Sequence, residues 1–189
     1  MDIESIKNKI KLVVNEKRYI HTLGVADVAY DLALIHGYNV EKAYLAGILH
    51  DCAKNVSNEE LVDICIKNNI AISGIEIKNI QLLHGKVGAH FAKTIYGVDD
   101  KDILNSIIYH TTGRPDMSML EKILIVADYI EPNRKPLPRI NVIREAAFES
   151  LDKALLLIIE NVLTYLNETN ALIDTITILT YNFYKEKEK

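Results

Sequence analysis

Ala43-Tyr44-Leu45-Ala46-Gly47-Ile48-Leu49-His50-Asp51-Cys52 reads as a helical apolar run carrying two residues that an apolar interior does not take for free. Consecutive helix positions lie about 100° apart, so His50 and Asp51 point to neighbouring parts of one surface. Four residues back lie Ala46 and Gly47, the small, buriable side of the run. An imidazole and a carboxylate placed there are costly unless hydrogen-bonded, paired or bound to a metal. The same anomaly recurs at His21 on the stripe His21, Val25, Val28, Leu32, Ile35. It recurs at His110 on the line Ile103, Ile107, His110, and at Asp128 on Leu120, Leu124, Asp128. One buried histidine is usually satisfied by a backbone carbonyl, and a lone aspartate can cap a helix. Four such coincidences, at His21, His50, Asp51 and Asp128, are hard to explain structurally. Imidazole nitrogens and carboxylate oxygens suit Mn²⁺, Fe²⁺, Zn²⁺ or Mg²⁺, and facing helices can present them from one bundle core.

The rest of the chain bounds this reading. Its 189 residues fit a single domain, with a core over about 18–134 that C-terminal helices complete; 49% hydrophobic content is enough for a real core. A net charge of −4 argues against a general nucleic-acid binder. No apolar run reaches membrane-spanning length, and the charged stretch Met1 to Lys11 lacks a signal core. Cys52 and Cys65 form no CxxC, and two free thiols fit a reducing cytoplasm.

Helical periodicity runs almost throughout and predicts an all-α fold. Ile3, Ile6, Ile10, Val13 and Val14 mark a first helix, and Lys17 to His36 a second that Gly37 ends. Asn39 is placed to cap the helix carrying His50-Asp51, and Ser57-x-x-Glu60 is a capping-box pattern for the next. A short helix around Glu76–Leu83 leads into another from about Val87 to Tyr96. Asp100 caps the His110 helix, and Ser118 starts the Asp128 helix, which must stop near Glu131-Pro132. Helices are expected at Ile140–Glu149, at Leu151–Asn167 and, by a lean rather than a clear period, over Asp174–Tyr184.

The order His21 … His50-Asp51 … Asp128 resembles the HD-domain superfamily of metal-dependent phosphohydrolases. Longer words narrow the resemblance: Arg18-Tyr19-Ile20-His21-Thr22-Leu23-Gly24-Val25, Ala46 to Lys54, His84-Gly85-Lys86-Val87-Gly88-Ala89, His110-Thr111-Thr112-Gly113 and Ala127-Asp128-Tyr129-Ile130-Glu131-Pro132-Asn133-Arg134. Together they are similar to the YqeK-like HD proteins, over nearly the whole chain from Arg18. That resemblance implies an all-α HD-domain bundle with a metal site in its core, and symmetrical bis(5′-nucleosyl)-tetraphosphatase activity that cuts diadenosine tetraphosphate into two ADP. It implies His21, His50, Asp51 and Asp128 as metal ligands, with iron often the ion; manganese, cobalt or zinc suit the same donors. Substrate contacts are implied at Arg18, His21, Asp51, His84, Gly85, Lys86, Val87, His110, Asp128 and Arg134. A looser match adds the strip Asp174, Thr175, Ile176, Thr177 and Ile178. Asp51, His84 and His110 are the implied catalytic groups.

The residue chemistry runs alongside. His84-Gly85-Lys86-Val87-Gly88 opens a helix, where free N–H groups and the dipole favour phosphate and the glycines allow close approach; equally, the glycines mark a turn and a packing site. His110 can orient substrate, protonate a leaving group or join a second ion with His84. Arg18 and Lys54 each lie about one turn from a candidate ligand, and Arg134 sits in a proline-stiffened loop; arginine suits phosphate, and each also has the plain reading of a surface charge. Other HD nucleotidases or phosphodiesterases, and a nucleotide sensor without turnover, share much of this pattern. A homodimer is compatible with the chain.

Overall fold

The computed structural model describes residues 2–188, and its described residues form eleven α-helices and one 3₁₀ turn, with no strand. They are α1 Ile3–Val13, α2 Glu16–Ile35, α3 Val40–Leu49, α4 Asn58–Lys67, α5 Gly74–Lys78, α6 Leu83–Thr94, α7 Lys101–Tyr109, α8 Met119–Ile130, α9 Ile140–Glu149, α10 Leu151–Glu168 and α11 Thr175–Lys187; the 3₁₀ turn, Ile80–Leu82, precedes α6. Side-chain caps set the starts. Asn15, Asn39, Asp100 and Asp174 each accept from a first-turn N–H, and Ser57, Ser73 and Ser118 form reciprocal capping boxes with Glu60, Glu76 and Glu121. No described helix is long and apolar enough to cross a membrane.

Helices α2, α3, α7 and α8 pack together at the centre, with α6 against α7, α4 against α6, and α9 and α10 covering α8. The α2–α3 contact is the tightest. A Cβ on Gly47 would stand 2.5 Å from Ala26 Cα and 2.9 Å from Ala26 N, so the two backbones touch and only glycine fits. That approach carries His21 on α2 toward the residues ending α3. The main core runs through Val25, Leu32, Leu49, Ile107, Leu124 and Ile159. Ala53, Leu61, Cys65, Leu83 and Val87 form a second apolar cluster between α4 and α6. The C-terminal segment is helical, and α11 is pinned by Tyr184, whose buried hydroxyl accepts from Met117 N–H at 3.0 Å.

The short helix expected at Glu76–Leu83 is α5 followed by the 3₁₀ turn, and three further boundaries that bear on the site differ from the sequence expectation. Helix α3 ends at Leu49, so His50 is its C-cap and Asp51 lies in the following turn. Helix α7 likewise ends at Tyr109, with His110 as its cap. Helix α6 begins at Leu83, earlier than Val87, because the 3₁₀ turn runs straight into it.

Candidate metal and phosphate site

Four imidazoles stand in a row. Ring centroids are 5.4 Å apart for His21–His50, 5.3 Å for His50–His110 and 4.9 Å for His110–His84. Two carboxylates lie against the row. Asp128 Oδ1 is 3.1 Å from His21 Nε2 and 3.9 Å from His50 Nε2. Asp51 Oδ2 is 3.4 Å from His50 Nε2 and 3.9 Å from His21 Nε2, while its Oδ1 is 3.4 Å from His84 Nε2 and 3.6 Å from His110 Nε2. Two groups of donors result, His21–His50–Asp51 and Asp51–His84–His110, with Asp51 common to both.

One device orients three of the rings. His50 Nδ1–H donates to Gly47 O at 2.7 Å, His110 Nδ1–H donates to Ile107 O at 2.7 Å, and His84 Nδ1–H donates to Gln81 O. Each histidine thus satisfies a carbonyl three residues back, near a helix end where carbonyls or turns leave such acceptors free. The proton on Nδ1 turns the Nε2 lone pair toward the cluster. His21, in the second turn of α2, uses a side chain instead: its Nδ1–H donates to Glu131 Oε1 at 3.0 Å. Glu131 is buried, caps the end of α8 and accepts from Asn133 N–H on its other oxygen at 2.7 Å. Gly24 makes room for it, since a Cβ there would meet Glu131 Oε2 at 2.6 Å. Glu131 was not expected from the sequence; its signal is its position as a buriable carboxylate before a proline, which reads first as a helix stop.

The donor set fits a divalent cation. His21 Nε2 and His50 Nε2 are buried and have no hydrogen-bond partner, the only such side-chain atoms among the described residues. Two inward lone pairs beside two carboxylates call for a positive charge between them. The titration pattern carries the same field. Burial alone would lower the His50 pKa, but Asp51 and Asp128 overcome it and raise it. Burial would raise the Asp51 carboxyl, yet His50, His110 and His84 hold it well below the usual carboxylate range. Burial likewise opposes ionisation of Asp128, but the His21 contact and the charge of Arg134 keep it well below that range. His84 is shifted down, first by burial and then by His110 and Lys54, against the pull of Asp51.

Cations ring the cluster. Arg18 Nη1 is 2.6 Å from Asp51 Oδ2, and Arg134 Nη2 is 2.9 Å from Asp128 Oδ1. Lys54 Nζ lies 3.4 Å from His84 Nε2, and burial lowers its pKa further than the nearby carboxylates raise it. The remaining expected contacts divide. Lys86 lines a cavity of about 310 Å³ with Thr111, Thr112, Asp174 and Ile176, although its ammonium is held by Ala71 O and Glu76, both at 2.7 Å. Thr177 is buried and donates to Thr112 O at 3.3 Å, whereas Thr175 and Ile178 are exposed. Val87 packs wholly into the second apolar cluster. Gly85 and Gly88 serve packing. A Cβ on Gly85 would meet Ile108 O at 2.8 Å, and one on Gly88 would meet Ile107 Cγ2 at 3.3 Å. At the start of α6 the N–H groups of Leu82 and Leu83 are bonded within the 3₁₀ turn.

A profile of the HD domain matches residues 18–133. The chain belongs to the HD-domain family. Its YqeK-like relatives include the symmetrical bis(5′-nucleosyl)-tetraphosphatase of Bacillus subtilis, 41% identical over 92% of this chain and 92% of the relative. The enzyme of the same name from Staphylococcus aureus is 36% identical over 100% of this chain and 97% of its own. The crystal structure of a predicted HD superfamily hydrolase involved in NAD metabolism from Clostridium acetobutylicum superposes with a TM-score of 0.95. It is 40% identical, covering 99% of this chain and 98% of that one. The HD match starts at Arg18 and ends at Asn133, so it takes in every imidazole and carboxylate of the cluster.

Proposed function

We propose that this HD protein hydrolyses diadenosine tetraphosphate symmetrically into two ADP, using a divalent ion, iron in the first instance, held by His21, His50, Asp51 and Asp128. The observation that carries it is the pair of orphaned Nε2 atoms facing two ionised carboxylates. The near full-length likeness to proteins named for this activity supports the substrate. When bound, the ion supplies Lewis acidity toward water and phosphate oxygens. The chain supplies the rest. Arg18, Arg134 and Lys54 offset the charge of the polyphosphate and fix its path over the carboxylates. Arg18 and Arg134 are planar donors whose side chains remain 30% and 34% exposed, so they can meet phosphate while keeping their aspartate contacts. Asp51, its carboxyl held ionised, accepts a hydrogen bond from the attacking water and orients it. His84 Nε2 and His110 Nε2, 3.1 Å apart beside Asp51, orient the departing phosphate; the same pair is where a second ion would sit instead.

Metal analysis of protein purified without chelator, followed by hydrolysis in ¹⁸O-labelled water, tests the reading. ADP should be the sole nucleotide product, with label on one ADP of each pair. AMP and ATP as primary products would reject the symmetrical cut, and tight ADP binding with no turnover would make the protein a sensor.

A further inference from the structure

A symmetrical substrate has two nucleosides, and the expected contacts provide for only one. The cavity of about 310 Å³ is lined by Leu82, Tyr109 and Thr111, chain neighbours of His84 and His110, and by Asp174 and Ile176 at the start of α11. A second cavity opens at the other end. It has a volume of about 700 Å³, reaches His21 itself, and shares no residue with the first. Its walls are the first turns of α2 and the loop after α8, bringing Lys17, Arg18, Arg134 and Lys135 around Ile20 and Asn133. Arg18 and Arg134 are paired with Asp51 and Asp128, and Glu131 is occupied by His21 and Asn133, which leaves Lys17 and Lys135 facing the solvated carboxylate of Glu16. Ile20 is 47% exposed among these charges, an apolar surface open to solvent.

We infer that this second cavity, lined by Lys17, Ile20, Asn133 and Lys135, holds the other nucleotide half of the substrate. The proposal rests on the tetraphosphatase reading and goes beyond it by assigning a site to the second ADP. Each feature suits part of a nucleoside diphosphate. Lys17 and Lys135 meet the outer phosphates, the Ile20 side chain meets the face of the base, and the Asn133 amide can pair with a base edge. The volume lies within the range of small-molecule sites, and the row of four imidazoles runs from His21, in the wall of this cavity, to His84 and His110, whose chain neighbours Leu82, Tyr109 and Thr111 line the other. The central phosphates would cross that row, with one half lying toward each end. The scissile bond then falls between two held halves, which makes a symmetrical cut a consequence of where the nucleosides are anchored.

ADP itself is the probe. Equilibrium dialysis of protein purified without chelator, with ADP up to millimolar concentration, should count two ADP per chain. Ile20→Trp adds bulk to a side chain that already reaches solvent and fills this cavity, so it should retain one ADP and weaken the other at least tenfold. Lys135→Glu, on the exposed loop, should weaken the same ADP without filling space. One ADP in the wild-type chain overturns the proposal, as do two undiminished ADP in both variants. Hydrolysis of diadenosine tetraphosphate run alongside separates the two readings. Two ADP bound without cleavage supports the paired subsites and refutes the hydrolase reading. Cleavage with a single ADP bound refutes the second subsite and leaves the hydrolase reading standing.

Discussion

Replacing Glu131 by glutamine changes one atom in a buried side chain and should disable His21 as a ligand. The carboxylate accepts two hydrogen bonds on two different oxygens, from His21 Nδ1–H at 3.0 Å and Asn133 N–H at 2.7 Å. Glutamine offers one oxygen and one NH₂, so one of those donors must face another donor. If the NH₂ faces Asn133, a part-buried backbone N–H loses its acceptor. If it faces His21, the ring is driven to carry its proton on Nε2, which is the atom aimed at the ion. An unpaired donor costs up to about 1–3 kcal/mol, the full range applying when it is buried. At about 2–4 °C per kcal/mol for a chain of this size, the metal-free protein should melt roughly 2–12 °C lower. Loss of a carboxylate that orients a ligating histidine typically costs 10–100-fold in metal affinity, or about 1.4–2.7 kcal/mol. The two effects separate in one pair of assays: thermal unfolding of the metal-free protein, and competition for the ion against a calibrated chelator. A lower melting temperature with unchanged metal affinity would show that Glu131 only caps α8, and would refute the orienting role.

The other perturbations act on the ligands and the surrounding charge. His50→Ala and Asp51→Ala should each abolish bound metal and activity while the helical core persists, because each removes a donor; elemental analysis showing full occupancy in both would overturn the ligand assignment. Arg134→Lys keeps the charge but loses the planar fork now 2.9 Å from Asp128, so turnover should fall about tenfold or more; wild-type kcat/KM would show that the proline loop does not meet substrate. Metal affinity should fall as pH is lowered. The raised pKa of His50 means the metal-free site takes up a proton that the ion must displace, whereas Asp51 and Asp128 are held ionised and add no slope in this range. Chelator competition giving one flat affinity between about pH 8 and pH 5 would contradict this.

The fold was legible because this sequence states its helix starts explicitly. Asn39, Ser57, Asp100 and Ser118 all cap the helices expected of them, and Ile140–Glu149 has the expected bounds. Helix ends were less legible. Periodicity continues through His50 and His110 although both helices have stopped, since a residue in the turn beyond a helix still faces the core. Glycine was ambiguous for a related reason. Gly85 beside His84 suggested room for phosphate, but the space belongs to the carbonyls of Ile107 and Ile108 on a helix distant in sequence. Glu131 escaped because its role depends on α2 and α8 lying side by side, and on Gly24 vacating the space between them, which no local pattern announces.

Those misread helix ends also explain how a polar cluster survives inside an apolar bundle. A histidine in mid-helix finds the nearby carbonyls already bonded, so burying it leaves Nδ1–H to be satisfied elsewhere, as His21 shows by needing Glu131. At the end of a helix the carbonyls three residues back are free, and His50 and His110 use them without recruiting any further side chain. One hydrogen bond then satisfies a helix terminus, fixes the tautomer and aims Nε2 inward, so the site is ordered before any ion arrives. The remaining cost is the unpaired Nε2 atoms of His21 and His50. That cost is offset only when a cation or proton arrives, so removing the ion should destabilise the bundle from its centre while the apolar packing around α10 remains.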